Sequence, residues 1–342
     1  MKKVILGMSG GVDSSVAAIL LKDQGYHVHG VTLKLWKGMP ETSISDAEKV
    51  AKKVGITWEF LDGVKDFDEK VICNFIDSYK CGETPNPCVE CNKNAKMKIL
   101  IKLMGKLKYD FVATGHYATI EKINNEYGLY KGKDEKKDQS YFLYGMNSKW
   151  LDKLIFPLGD YTKSEIREIA MNRGMEVYSK PDSEDICFIP DGHYAQFLEQ
   201  SGVKSTEGNF VDVKGNLVGK HKGVHHYTVG QRKGLGLALG QKVFVTRLDV
   251  ANNIVVVGME EELYSSSAVI RDFNWLTAPK ETCVLEGRTR YGGVNSPLTI
   301  KNVNGNHIVE FKIPQRAITP GQSLVVYQGG RVLGGGIIHK VL

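Results

Sequence analysis

The sequence predicts an α/β fold, a doubly wound parallel sheet, followed by two small all-β domains, and three observations carry that prediction. Apolar runs alternate with amphipathic helical stretches up to residue 202. A turn rich in glycine and serine joins the first apolar run to the first helix. After Gly202, helical periodicity gives way to short β-branched runs separated by turn signals such as Val213-Lys214-Gly215-Asn216, Asn252-Asn253 and Asn304-Gly305-Asn306. The expected units are 1–202, 203–262 and 263–342, the last a β-barrel, with the second division near the acidic cluster Glu260-Glu261-Glu262.

Val4-Ile5-Leu6 reads as a buried strand, and Gly7-Met8-Ser9-Gly10-Gly11-Val12-Asp13-Ser14-Ser15 as the turn from it into a helix. Gly10 and Gly11 permit positive φ, and Ser9, Ser14 and Ser15 add hydroxyls to the bare N–H groups of the opening helix, an arrangement suited to phosphate. No Lys-Ser/Thr pair follows the second glycine, so the ordinary P-loop is excluded. Residues 27–35 and 56–61 form the next strands, separated by a helix that Ser45-Asp46-Ala47-Glu48 would open by capping-box spacing and Gly55 would close. Val71, Ile72, Phe75, Ile76 and Tyr79 make one apolar face of a helix over 67–79. Thr84-Pro85-Asn86-Pro87 is expected to be non-helical, since each proline drives its predecessor out of the α region, so a rigid loop would present Cys88-Val89-Glu90-Cys91-Asn92. The helix after it, 92–107, carries Lys93, Lys96, Lys98, Lys102 and Lys106 around an apolar side, which suits a phosphate backbone. A strand over 111–114 delivers Gly115-His116-Tyr117 to the ligand side of the sheet. Residues 120–133 look like a hairpin insertion, Thr162-Lys163-Ser164-Glu165 caps a helix to 173, and residues 180–190 form a loop that holds Cys187.

With 342 residues, 42% hydrophobic and 25% charged, the composition is that of an ordinary soluble protein of two or three domains. No apolar run is long enough to span a bilayer, and the N-terminus enters strand and helix without a signal-peptide core, so a cytoplasmic protein with no membrane partner is expected. There, the cysteines at 73, 81, 88, 91, 187 and 283 are better read as thiols, sulfur carriers or metal ligands than as disulfides. Residues 1–200 carry 28 Lys and Arg against 29 Asp and Glu, whereas residues 201–342 carry 17 against 10. The basic excess in the second part fits a polyanion-binding appendage behind a near-neutral catalytic domain.

Ser9-Gly10-Gly11-Val12-Asp13-Ser14 resembles the pyrophosphate loop of the N-type ATP pyrophosphatases, the adenine nucleotide alpha hydrolase-like fold, whose members adenylate an oxygen and release pyrophosphate. Further segments extend the likeness: residues 84–92, 113–118, 137–143, Ile186-Cys187-Phe188-Ile189, 227–236, Pro314-Gln315-Arg316-Ala317 and Thr319-Pro320-Gly321-Gln322-Ser323. In this order and spacing the chain resembles the bacterial tRNA-specific 2-thiouridylases, which replace the C2 oxygen of the wobble uridine of tRNA with sulfur. The resemblance implies ATP at Gly7, Met8, Ser9, Gly10, Gly11, Val12, Asp13 and Ser14, with Leu33 and Gly115 flanking the adenine nucleotide and Asp13 helping to place Mg²⁺. It implies a persulfide on Cys187 and, on Cys91, a second thiol that releases sulfide or closes a Cys91–Cys187 disulfide; both need accessible thiolates, which nearby cations would favour. The uridine would be flipped against Asn86, Pro87 and Cys88, with His116, Lys137, Asp138, Gln139, Arg290, Tyr291 and Gln322 as tRNA contacts. A cysteine desulfurase or sulfur-relay protein would bring the sulfur, and the enzyme would be a monomer.

Well-known members have Asp where this chain has Cys88, a carboxylate given a general-base role; Cys88 could take that role only with a low pKa. The exchange creates Cys88-x-x-Cys91 which, with Cys187, could hold a [4Fe–4S] cluster with one open iron, so persulfide and cluster chemistry both remain open. Cys73 and Cys283 read as core fillers, and His225-His226, with no carboxylate or cysteine at metal spacing, as β-domain surface. Arg232 and Lys233 suit either phosphate binding or a plain hairpin turn. The rivals are another ATP-pyrophosphatase synthetase and a non-catalytic, nucleotide-dependent RNA-binding protein.

Overall fold

The structure, a computed structural model, describes residues 1–180, 185–279, 284–303 and 306–342. The predicted turn at Asn304-Gly305, the segment 181–184 and Cys283 lie outside the described residues. The strands of the first part are β1 (Lys3–Gly7), β2 (His27–Lys34), β3 (Thr57–Asp62), β4 (Phe111–Thr114), the hairpin β5 (Ala118–Ile123) and β6 (Glu126–Lys131), and β7 (Leu154–Ile155). Its helices are α1 (Val12–Asp23), α2 (Glu41–Val54), α3 (Val64–Phe67), α4 (Cys73–Lys80), α5 (Pro87–Glu90), α6 (Met97–Leu107), α7 (Lys163–Asn172) and α8 (Tyr194–Gln200).

A parallel sheet in the order β3-β2-β1-β4-β7 forms the centre. Val4, Ile5 and Leu6 of β1 are all 0% exposed because alternate side chains enter two cores, Val4 and Leu6 one and Ile5 the other. Each is worth about 2 kcal/mol of hydrophobic burial. Val16, Val50 and Ile166 of α1, α2 and α7 cover the first face, and Met97, Leu100 and Leu103 of α6 cover the second. The sheet reverses its winding between β1 and β4, which places the β1–α1 turn and the end of β4 side by side at the crevice.

Two boundaries differ from expectation. α2 opens at Glu41 behind Pro40, and Ser45 lies inside it, its hydroxyl donating back to Thr42 O at 3.1 Å instead of capping. The second difference is that Pro87 begins a helix. Asn86 stays extended, as the residue before a proline must, and its Oδ1 accepts from Cys88 N at 3.2 Å and Val89 N at 3.3 Å, while Pro87 occupies the first helical position, where its missing N–H costs nothing. From Pro87 the helical path runs through a π-turn (Cys91–Lys96) into α6.

The central β domain pairs β8 (Gly208–Asp212), β9 (Leu217–His221), β10 (Phe244–Asp249) and β11 (Ile254–Gly258) in the order β10-β11-β8-β9 around Phe210, Tyr227 and Val245. Then follow β12 (Tyr264–Trp275), β13 (Leu285–Arg288), β14 (Ser296–Val303), β15 (Asn306–Arg316), β16 (Ser323–Gln328) and β17 (Arg331–Val341), which close into a barrel through β12–β17 pairing. The hairpin β5–β6 turns at Asn124 and Asn125, both at positive φ, and joins this barrel: Arg331 and Val332 of β17 pair with Tyr130 and Leu129. What reads as an insertion is thus the seam between catalytic domain and barrel. No helix among the described residues is long and apolar enough to cross a membrane.

Candidate active site

The turn after β1 is built by its own residues. Met8 N donates to Val31 O at 2.8 Å, fixing the turn to β2. Gly10 has φ +73°, and a Cβ on it would lie 2.4 Å from Ser43 O, so only glycine fits there. Ser14 Oγ accepts from Ser9 N at 3.2 Å and donates to Gly11 O at 3.2 Å. No side chain caps α1, whose first N–H groups and positive dipole end therefore face an incoming anion. Two ammonium groups flank the turn. Lys180 Nζ reaches Gly10 O at 3.4 Å and pairs with Asp46, and Lys163 Nζ binds both oxygens of Asp13 at 2.8 and 2.9 Å. Neither lysine carries a sequence signal for this role, since both arrive from distant segments. Tyr117 OH also donates to Asp13 at 2.6 Å, so this carboxylate does not fit as a Mg²⁺ ligand until Lys163 yields. The turn fits a phosphate chain. Gly115 closes the crevice: a Cβ there would lie 3.1 Å from Asp13 C and Ser14 N, while Leu33 lies buried at the end of β2.

From Gly115 the chain leads to the thiols. His116 is buried, with Nδ1 2.6 Å from Thr114 Oγ1 and Nε2 3.2 Å from Lys96 Nζ. Burial first, and the lysine second, hold its pKa well below the usual value, so the ring is neutral. The ammonium donates to Nε2, and the Nδ1 proton goes to Thr114. His116 therefore positions Lys96. Lys96 in turn interacts electrostatically with Cys88, Cys91 and Cys187, and through the π-turn its own N–H reaches Cys91. Cys88 and Cys91, three residues apart on one helical path, share a face, and Cys187 lies within electrostatic range of both.

Water reaches Cys88 and Cys187, yet enough protein surrounds each thiol for desolvation to act on it. Desolvation pushes Cys88 up to about 11 and Cys187 up to about 12; it raises Cys91 as well, and the lysine opposes it without prevailing. Desolvation therefore favours thiols over the expected thiolates at neutral pH. In this state Cys88 is a poor general base. Cys73 and Cys81 are exposed, so Cys73 is not a core filler.

The expected RNA contacts divide sharply. Asp138 is buried, accepts from Gly132 N and Ser140 N, and pairs with Arg288 at 2.9 Å. Gln139 is tied to Tyr117, its Oε1 accepting from Tyr117 N at 3.1 Å. Gln322 donates to Thr84 O at 2.8 Å, holding the cysteine segment to the barrel. Asn86 spends its amide oxygen on the cap, and Pro87 is buried. Arg290 is exposed, Lys137 and Tyr291 are half-buried, and the Tyr291 ring lies 4.5 Å from Phe142, whose carbonyl accepts from Asn92. Arg232 and Lys233 are exposed in the central domain.

Family profiles described as tRNA methyl transferase HUP domain, tRNA methyl transferase PRC-barrel domain and aminomethyltransferase beta-barrel domain match residues 2–191, 195–259 and 265–338. Among curated relatives, the tRNA-specific 2-thiouridylase MnmA of Clostridioides difficile (strain 630) is 46% identical over 357 residues, spanning 100% of this chain and 99% of its own. The proteins of the same name from Halothermothrix orenii and Clostridium perfringens are 44% and 45% identical, over 99% and 100% of this chain and 99% of theirs. A chain so similar from end to end, with a pyrophosphate turn leading directly to a set of thiols, belongs to the family of tRNA-specific 2-thiouridylases.

Proposed function

We propose that the chain is an ATP-dependent tRNA 2-thiouridylase that works through a cysteine persulfide in the cytoplasm as a monomer. The observation that supports this is the run of contacts from Ser14 through Gly115 and His116 to Lys96, which interacts with the three thiols. The profile descriptions speak of methyl transfer, whereas the curated relatives similar over the full length are named tRNA-specific 2-thiouridylases, and paired thiols suit sulfur delivery.

The α1 N-terminus, Ser9, Ser14 and the flanking lysines bind the ATP phosphates. The uridine C2 oxygen attacks the α-phosphorus, and the bond to pyrophosphate breaks as the new P–O bond forms, so a poor leaving group becomes AMP. The terminal sulfur of the Cys187 persulfide then attacks C2; AMP leaves with the former carbonyl oxygen and the N3 proton is lost. Cys91 attacks Cys187 Sγ and its proton returns to N3; the S–S bond to the base breaks with its sulfur left on C2, and a Cys91–Cys187 disulfide forms, which an external dithiol reduces. A persulfide is more acidic than its parent thiol, so the recess keeps resting thiols protonated while a charged Cys187 still ionises beside Lys96. The donor is a cysteine desulfurase or sulfur-relay protein, Mg²⁺ enters with the ATP phosphates, and the exposed Arg232, Lys233 and Arg290 meet the tRNA backbone.

A second reading has one observation in its favour: Cys88 and Cys91 on one helical face beside Cys187 match the donor set of a [4Fe–4S] cluster. Bound there, the cluster would offer an open iron to incoming sulfide. Two measurements decide. Cys187→Ser should lower tRNA thiolation by at least about 10³ while tRNA-dependent pyrophosphate release persists; thiolation at the wild-type rate would end both readings. Iron and acid-labile sulfide in stoichiometric amounts in anaerobically purified protein, with activity lost on their removal, would replace the persulfide by the cluster.

A further inference from the structure

His225 and His226 are neighbours in sequence, and on a strand their rings would point to opposite faces. Here they sit on a 3₁₀ turn (Val224–His226), which sets the rings side by side, centroids 4.5 Å apart and planes at 35°. Both Nε2 atoms converge on Ser205 Oγ, at 3.1 Å for His225 and 3.0 Å for His226. From the end of α8, Glu199 turns its carboxylate to the same point: Oε1 lies 3.2 Å from His226 Nε2 and accepts from Ser205. One ligand atom from each of Glu199, His225 and His226 lies within 4.8 Å of the other two. The missing carboxylate that made these histidines look like plain surface is thus supplied by another element.

We propose that Glu199, His225 and His226 form a site for a divalent cation of the zinc class that staples α8 to the central β domain. Two imidazoles and one carboxylate are the donor set such a cation prefers. With bonds of about 2.0 Å, a tetrahedral ion holds its ligands about 3.3 Å apart, close to the 3.2 Å between Glu199 and His226. The Ser205 hydroxyl, now at the focus of the three, gives way to the ion and to a water at the fourth position. Access is open, since the Glu199 and His226 side chains are 41% and 21% exposed. The staple has something to hold. On its other side α8 stacks Tyr194 on Tyr79 at 5.0 Å and sets Phe197 5.4 Å from Phe188, the neighbour of Cys187. The site does not depend on the thiolation reading.

The test is a titration of metal-stripped full-length protein with Co²⁺, followed by visible absorption, and with Zn²⁺, followed by thermal unfolding. One equivalent of Co²⁺ should give the weak bands of nitrogen and oxygen ligation, without the intense charge-transfer bands that the cysteines would produce. Glu199→Gln and His226→Ala should each weaken that binding at least about tenfold. Ser205→Ala keeps all three ligands, so Zn²⁺ should still raise its unfolding temperature. The proposal is overturned if wild-type protein binds no Co²⁺ with this signature, if both ligand variants bind as well as wild type, or if Zn²⁺ fails to stabilise Ser205→Ala, the result expected of a hydrogen-bonded cluster only.

Discussion

The phosphate turn and the thiol recess both begin at a helix N-terminus, and they are held in opposite ways. The turn's serine hydroxyls bond near neighbours, Ser9 to Ser14 and Ser14 to Gly11, while Lys163 and Lys180 flank it from distant segments. The recess gathers Cys88, Cys91, Lys96, His116 and Cys187 from three separate stretches of chain. The barrel clamps it: Arg271 binds both oxygens of Glu83 at 2.6 and 2.8 Å, Thr84 N donates to Pro320 O at 2.8 Å, and Gln322 returns to Thr84 O. The anion site leaves donors unsatisfied, whereas in the recess burial raises the pKa of the resting thiols. In the recess desolvation, helped by the neighbouring thiol, outweighs Lys96.

The contrast can be broken most forcefully at Gly10. Gly10→Ala forces a left-handed backbone on alanine and drives its Cβ onto Ser43 O, which should cost about 2 kcal/mol of stability and lower ATP-dependent pyrophosphate release about a hundredfold. A variant with normal ATP binding would show that the turn is not the phosphate site. A smaller effect is expected from pH. Alkylation of the recess thiols by iodoacetamide should rise only above pH 9, with Cys88 and Cys187 approaching midpoints of about 11 and 12, and Lys96→Met should move the rise higher still. Midpoints near 8 would mean that Lys96, not burial, dominates. The stability contribution has the matching sign: the folded thiols keep protons that the unfolded chain releases, so it is complete below pH 9 and lost as pH rises through the folded values. The smallest effect belongs to the clamp. Gln322→Ala removes one hydrogen bond to Thr84 O and should lower unfolding stability by about 1 kcal/mol, with thiolation reduced more than pyrophosphate release. Equal loss in both would deny that the clamp serves the cysteine segment in particular.

Much of the site could be read from residue order because its parts are local. Gly10 and Gly11 between a strand and a helix imply an anion cradle wherever the chain then goes, and Thr162-Lys163-Ser164-Glu165 forms the capping box that its spacing promises. Pro87 misled because the same ring that forbids a helix interior favours a helix start, and only the cap by Asn86 decides between them. Asp138 and His116 sit in motifs whose position suggests contact with a ligand, yet each is consumed by a partner the sequence does not announce, Arg288 from the barrel and Lys96 from the π-turn.

The sequence by itself determined the alternation of strand and helix, the glycine- and serine-rich turn after β1 and the change to β structure after Gly202. These follow from periodicity and backbone freedom, which act over a few residues. The tertiary structure alone decided that the three thiols meet Lys96, that burial raises their pKa, that the hairpin β5–β6 joins the barrel, and that Glu199 finds His225 and His226. Those outcomes depend on burial and on partners brought from far along the chain, and desolvation is a property of the surroundings that no short stretch of sequence contains.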